Sequence, residues 1–286
     1  MASRLWTLFI LFLILFPGLS WAEPFVFTAI PDQDETRLTA RFGRVAKYLE
    51  KRLATEVKYI PVKSYAAAVT AFKNNDVQMA WFGGLAGVRA RLAVPGAKAI
   101  AQGIEDKRFV TYLIAHGSID IEESKTFPMG IRGKTMVFGS KGSTSGRLMP
   151  EYYIRKHLGK SPQQAFRRVG FSGDHSRTIA LVQAGSYQIG AVNFQVWETE
   201  SKLGRIDPNK IHIIWRTPAY PDYQWTIRSG LEKQWGKGFS EKVKQALLEL
   251  KDPVLLKAFP RSGFIPAQNS DYIPIEETAR KIGLLD

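Results

Sequence analysis

The feature that most restricts the fold of this chain is a regular alternation of short apolar runs with segments of helical periodicity. Buried-strand patterns occur at Phe25 to Ile30, Val57 to Ile60 and Val77 to Phe82, and a helix with one apolar face spans Glu35 to Leu53. The same alternation returns after a polar stretch at Gly117 to Lys125. Strands that alternate with helices are typical of α/β folds, so we expect two α/β lobes.

The lobe boundaries follow from where the composition changes. We predict lobe one at residues 23–115 plus 221–286 and lobe two at residues 116–220. The polar Gly117 to Lys125 stretch is the predicted first crossover, and Pro218 to Tyr223 is the predicted return. Two lobes joined by two crossover segments would enclose a ligand cleft between them.

The N-terminus predicts export. Arg4 precedes the apolar run Leu5 to Phe16, and small residues before Glu23 offer a cleavage site, so residues 1–22 are predicted to be a secretory signal peptide. A permanent anchor is disfavoured because twelve helical residues cover about 18 Å of a roughly 30 Å hydrocarbon core. Without any cysteine, the chain has neither a lipid-modified cysteine nor a disulfide. We therefore expect a free protein of a Gram-negative periplasm.

The charge balance is strongly basic. Loss of Arg4 with the signal peptide lowers the formal net charge from +14 to +13. The lysines and arginines are scattered and form no run of five, which disfavours a nucleic-acid partner and favours a general positive field. Such a field suits anionic small ligands, although simple solubility explains it equally well.

A Gly/Ser/Thr loop at Phe138 to Arg147 is the strongest local signal of a binding site. Its residue pattern is typical of a strand end, a turn and a helix start. It contains three glycines and the hydroxyl triplet Ser143, Thr144 and Ser145. Unpaired N–H groups and the positive end of a helix dipole would meet at this turn, so we predict an oxyanion site. Helix capping alone is the alternative, but it needs only one hydroxyl.

The residue pattern of this loop excludes two well-known motifs, the nucleotide-binding Walker loop and the nucleophile elbow of hydrolases. In a Walker loop the lysine follows the last glycine, whereas Lys141 precedes Gly142. A hydrolase elbow needs serine at the centre of its glycine pair, and Thr144 stands there. The loop is therefore predicted to bind a small anion and not a nucleotide or an acyl group.

Four segments together resemble the phosphonate-binding branch of ABC-transporter solute-binding proteins, most closely those described as selenate transporter binding proteins. They are Ala29 to Thr36, Tyr65 to Gly84, Gly139 to Pro150 and Gly170 to Ser176. The resemblance covers essentially the whole chain after the signal peptide. It implies a type II periplasmic binding fold, a small oxyanion held between the lobes, and delivery to an inner-membrane permease with its ATPase. We expect a monomer.

The resemblance also implies ligand contacts. Tyr65 matches a tyrosine that reaches the ligand from lobe one, the hydroxyl triplet matches donors from lobe two, and His175 matches a contacting histidine. A polar cap at a helix start is the alternative for His175. The other predicted ligand-binding residues are Phe82, Gly84, Asn193 and Tyr223.

Two positions differ from the phosphonate-binding pattern. Phe109 occupies a tyrosine position, which removes one hydroxyl, and Asn193 occupies a position where relatives tend to have a carboxylate. Selenate and sulfate only accept hydrogen bonds, whereas a phosphonate monoanion also needs an acceptor for its proton. Asn193 therefore favours a deprotonated anion. Asp222 could sense a ligand proton, but a solvated turn residue needs no such role.

Enzymatic function is the rival class. The four histidines lie in unrelated contexts with no partner at metal-ligand spacing, so we expect no metal, no cofactor and no catalytic residue, which disfavours a phosphatase or sulfatase. A sensor that presents the anion to a membrane histidine kinase stays open. The anion also stays open among selenate, sulfate, phosphonate, phosphite and arsenate.

Overall fold

The structure is a computed structural model that describes residues 23–285, so the predicted signal peptide lies outside the described residues. Two mixed sheets form the two lobes. The strands are β1 Phe25–Ala29, β2 Val57–Tyr59, β3 Met79–Phe82, β4 Lys98–Gly103, β5 Thr111–His116, β6 Thr135–Phe138, β7 Arg168–Phe171, β8 Ile189–Asn193, β9 Ile211–Arg216, β10 Gln224–Ile227 and β11 Phe264–Pro266.

Helices flank both sheets, as the alternation in the sequence predicts. They are α1 Glu35–Leu53, α2 Tyr65–Asn74, α3 Gly84–Ala93, α4 Met149–Leu158, α5 Pro162–Ala165, α6 His175–Gln183, α7 Phe194–Lys202, α8 Glu232–Trp235, α9 Phe239–Leu248, α10 Pro253–Ala258 and α11 Ile273–Lys281. Between residues 23 and 285, no helix has the length and apolar character needed to span a bilayer.

The first sheet has the strand order β11-β4-β10-β3-β1-β2. Strand β1 runs parallel to both β2 and β3, whereas β10 is antiparallel to β3 and β4. Its core is rich in aromatic side chains: Trp225 contacts Phe27, Phe42 and Trp81 at ring-centroid distances of 5.7, 6.1 and 5.2 Å. This packing fixes β10, the strand that follows the predicted return crossover, in lobe one.

The second sheet has the order β7-β6-β8-β5-β9. Strand β6 is parallel to β7 and β8, and β5 lies antiparallel between β8 and β9. Parallel β6, β7 and β8 end at the same edge, where the hydroxyl loop, the α6 start and the α7 start follow them. The two sheets together have the type II periplasmic binding architecture that we predicted.

The predicted first lobe boundary is wrong. We expected residues 23–115 in lobe one, but β5 begins at Thr111 and pairs within the second sheet. The polar stretch Gly117 to Lys125 is not the crossover, because Ile119 packs in the lobe-two core and Ser124 N–H donates to the Ile214 carbonyl (3.1 Å). Strand pairing is a non-local choice that polarity along the chain does not reveal.

The two crossovers touch each other. Phe109 and Tyr220 form an isolated antiparallel bridge, with reciprocal N–H to carbonyl hydrogen bonds of 2.8 and 2.9 Å. The return crossover lies between β9 and β10, as predicted for Pro218 to Tyr223. The chain thus passes twice between the lobes at this one bridge, and in two-lobe proteins such connecting segments are where hinge motion takes place.

The lobes are closed on each other. Leu85 N–H of lobe one donates to Thr144 Oγ1 of lobe two (3.0 Å), and His175 N–H of lobe two donates to the Asp32 carbonyl of lobe one (3.0 Å). A Cβ built on Gly142 would lie only 3.0 Å from Tyr65 Cβ. The hydroxyl loop therefore needs glycine here to approach lobe one.

Candidate functional site

The hydroxyl triplet lies buried between the lobes. Ser143, Thr144 and Ser145 are 2, 2 and 1 % exposed, and a π-helical turn begins at Thr144 and leads into α4. Ser143 caps this turn by accepting from Gly146 N–H (2.9 Å), so the capping interpretation holds for Ser143 itself. The first N–H groups of a helical turn have no carbonyl within the helix to bond to, and in this turn Ser143 Oγ satisfies only that of Gly146.

His175 is a neutral donor at the same spot. Its Nδ1 accepts from Asn193 N–H (3.3 Å), so the ring proton lies on Nε2, which is 3.3 Å from Ser145 Oγ. Burial lowers the pKa of His175 to about 3, so the ring does not become cationic at neutral pH. Because Nε2–H donates to Ser145 Oγ, that hydroxyl can donate its own proton, either to Tyr220 OH or to an anion.

Tyr65 lies on lobe one beside Gly142 of the hydroxyl loop. It opens α2 directly after the cap residue Ser64, and its side chain is 2 % exposed. The hydroxyl is buried and has no hydrogen-bond partner among the described residues, although Ser143 lies nearby. Burial raises the pKa of Tyr65 well above its ordinary value, so the hydroxyl stays a donor that a ligand oxygen could accept.

Asp222 lies buried between the lobes, contrary to the expectation for a turn residue. It is not a solvated turn residue, since it is only 1 % exposed in the second crossover. Its Oδ1 accepts from Gly84 N–H (2.7 Å), and its Oδ2 has no partner within residues 23–285. Burial raises the pKa of Asp222 to about 7, although hydrogen bonds from Gly84 and Thr144 oppose the shift. A buried carboxylate thus lies beside the Thr144 hydroxyl, with one oxygen that no N–H group reaches.

Gly84 and Phe82 have different roles. Gly84 begins α3, and its N–H group holds Asp222; a Cβ on Gly84 would lie 3.3 Å from Thr144 Oγ1. Phe82 packs edge-on against Phe72 (5.6 Å between centroids) in the lobe-one core. Phe82 therefore shapes the wall behind the turn and supplies no polar group.

Asn193 and Tyr223 form a polar chain beside the hydroxyl loop. Asn193 Oδ1 caps α7 by accepting from Val196 N–H (2.6 Å), and Nδ2 donates to Tyr223 OH (3.0 Å). Tyr223 OH in turn donates to Asp32 Oδ2 (2.7 Å). Protein groups therefore engage both ends of the Asn193 amide. The interpretation of Asn193 as a selector for deprotonated anions gains no support from this geometry.

Three helix starts converge on the cleft: α3 at Gly84, the π-helical turn at Thr144 and α6 at His175. Their dipoles direct positive potential toward an anion. The N-cap of α6 is Asp174, which accepts from Arg177 N–H (2.8 Å), so Asp174 is a structural cap. Within the described residues, no group of three histidine or acidic side chains could hold a metal ion.

Comparison with known proteins agrees with this geometry. Residues 27–272 match the family described as ABC transporter, phosphonate, periplasmic substrate-binding protein. The chain is 39 % identical over 261 residues to "Probable ABC transporter phosphite binding protein PhnD1" of Prochlorococcus marinus, covering 89 % of this chain and 88 % of the relative. The phosphonates-binding periplasmic protein of Escherichia coli is 23 % identical over 267 residues, covering 88 and 75 %.

Solved structures show the same fold. The structure of Prochlorococcus marinus PhnD1 in complex with methylphosphonate has a TM-score of 0.87 at 39 % identity and covers 92 % of this chain and all of that one. A binding protein component of an ABC phosphonate transporter from Pseudomonas aeruginosa has a TM-score of 0.78 at 19 % identity and covers 89 and 85 %. The chain therefore belongs to the phosphonate periplasmic substrate-binding protein family of ABC transporters.

Proposed function

We propose that this protein binds a small tetrahedral oxyanion that keeps one proton, of the phosphite or alkylphosphonate class, for an ABC importer. The observation behind the proposal is the buried Asp222 carboxylate, which lies beside Thr144 of the hydroxyl triplet and whose Oδ2 has no geometric hydrogen-bond partner among the described residues. Donors alone would suit any oxyanion. A carboxylate among them requires that either the ligand or the carboxyl group supply a proton.

Selenate and sulfate fit this arrangement less well. Both lack a proton near neutral pH and would face an ionised carboxylate unless Asp222 holds the proton itself. Because the pKa of Asp222 is about 7, that protonation costs increasingly more above neutral pH. We therefore propose a protonated ligand in place of the selenate that the sequence favoured. The named ligands of the Prochlorococcus relative, phosphite and methylphosphonate, belong to this protonated class.

A melting-temperature panel tests the proposal. Mature protein is heated with phosphite, methylphosphonate, phosphate, sulfate or selenate at pH 6 and pH 8. A ligand at 100 times its dissociation constant adds about 2.7 kcal/mol to the free energy of unfolding. We expect phosphite or methylphosphonate to raise the melting temperature at both pH values. A larger shift with selenate than with either at pH 8 contradicts the proposal.

Membership of this family also supports a proposal on where the protein works and with which partners. We propose that residues 1–22 direct export and that the mature monomer works in the periplasm, where it delivers its ligand to a permease and its ATPase. The relatives are substrate-binding proteins, so we propose a binding role without catalysis. Sedimentation of the exported protein tests the monomer, and N-terminal sequencing of the exported chain tests cleavage before Glu23.

A further inference from the structure

Helix α7 of lobe two contacts lobe one at two points outside the hydroxyl site. Gln195 Nε2 donates to the Pro260 carbonyl (2.9 Å), and Glu200 forms an ion pair with Arg37 of α1. Both contacts join groups on opposite lobes, so both break when the lobes move apart. Helix α7 is therefore part of the interface that lobe two forms with lobe one in the closed state.

Glu200 has two arginine partners, one on each lobe. It is 5 % exposed, and its second oxygen is 3.5 Å from Arg205 Nη1, which follows α7 within lobe two. Opening removes Arg37 but leaves Arg205. The carboxylate is thus never left buried without a cation, which would be strongly destabilising. Opening therefore breaks the Arg37–Glu200 ion pair, while Glu200 keeps Arg205 as a partner.

We infer that Arg37 and Glu200 form a closure latch that sets ligand affinity without touching the ligand. The inference rests on the proposed function only in that the ligand is held between closed lobes. Apparent affinity is the intrinsic affinity multiplied by the fraction of protein in the binding-competent state. An ion pair present only in the closed state raises that fraction, whichever oxyanion is bound.

The latch predicts a specific pattern of binding losses. Arg37→Gln should weaken methylphosphonate binding about 3- to 10-fold, somewhat above the range of exposed pairs because Glu200 is nearly buried. Most of the loss should be faster dissociation. The melting temperature should fall less without ligand than with saturating methylphosphonate, because only the closed fraction of the native state contains the pair. High salt should weaken wild-type binding more than binding by the variant, since salt screens the pair.

Calorimetry and stopped-flow kinetics with methylphosphonate test this pattern. The matched control is Arg44→Gln, which removes the same charge from an exposed position on the same helix. The double variant Arg37→Gln/Glu200→Gln should bind no more weakly than the weaker single variant, because one interaction is lost only once. Binding by Arg37→Gln equal to that by Arg44→Gln, or additive losses in the double variant, overturns the latch.

A second readout needs no ligand. Since the chain has no cysteine, spin labels on Lys51→Cys and Lys160→Cys report one distance between the lobes. The unliganded protein should populate the shorter distance more than Arg37→Gln does. Identical distance distributions overturn the latch. If methylphosphonate does not bind the wild type, the ligand proposal fails, and this measurement still decides the latch.

Discussion

Replacing Asp222 by asparagine tests the central claim that a buried carboxylate meets the ligand's proton. Asparagine keeps the shape of the side chain and an oxygen that can accept from Gly84 N–H, now 2.7 Å from Oδ1. It replaces the free carboxylate oxygen by a neutral amide donor. The change therefore removes a titrating charge with little change in packing.

The first expected effect concerns stability without ligand. The carboxyl group ionises near 3.8 in an unfolded chain but near 7 in the folded protein, so the native state binds the extra proton between those pH values. Stability then falls as pH rises through this window, and above it the buried charge costs on the order of 4 kcal/mol. We expect Asp222→Asn to be more stable than wild type at pH 8, with a gain that vanishes toward pH 4.

The second effect concerns selectivity. Wild type should lose sulfate affinity about tenfold per pH unit above 7, because sulfate needs Asp222 to hold a proton. The variant donates at every pH, so its sulfate affinity should stay flat and exceed that of wild type at pH 8. Methylphosphonate should bind the variant about 10- to 150-fold more weakly at pH 7, which corresponds to a lost hydrogen bond to a charged group of about 1.5 to 3 kcal/mol.

Titration calorimetry with both anions at pH 6, 7 and 8, and urea unfolding at pH 5 and 8, measure these effects. The control is Asp34→Asn, an exposed cap of α1 that asparagine replaces equally well. If Asp222→Asn binds both anions like wild type at all three pH values, Asp222 does not contact the ligand and the argument for a protonated anion is refuted.

Two further substitutions and one NMR titration test the closed site. Gly142→Ala places a methyl group 3.0 Å from Tyr65 Cβ, so the ligand-induced fall in radius of gyration, measured by small-angle scattering, should shrink; full closure would contradict the close approach. Tyr65→Phe removes a buried hydroxyl that has no partner among the described residues, and calorimetry should show methylphosphonate binding weakened about 10- to 150-fold; equal affinity would remove Tyr65 from the site. The His175 ring, with a pKa of about 3, should show constant NMR shifts from pH 5 to 8, and a titration in that range would refute its assignment as a neutral donor.

Much of the fold could be predicted from the sequence, because secondary-structure period and turn chemistry are local properties. The alternation of strands and helices indicated two α/β lobes. The three glycines and the hydroxyl triplet of the 138–147 loop indicated a strand, a turn and a helical start, and the structure has all three. Four predicted contact residues, the hydroxyl triplet and His175, lie together in the structure because each of these turns follows a strand of one sheet edge.

Other features depend on partners far away in the chain. Whether β5 joins the first or the second sheet depends on strand pairing and not on its own apolar residues. The local sequence around Asn193 is compatible both with a ligand contact and with a helix cap. Its hydrogen bonds with Val196 N–H and Tyr223 OH, which only the folded structure shows, favour the cap. Asp222 is an ordinary turn aspartate in the sequence. Its pKa near 7 arises because both lobes close over it and exclude water, and desolvation of a charge is a property of the folded surroundings alone.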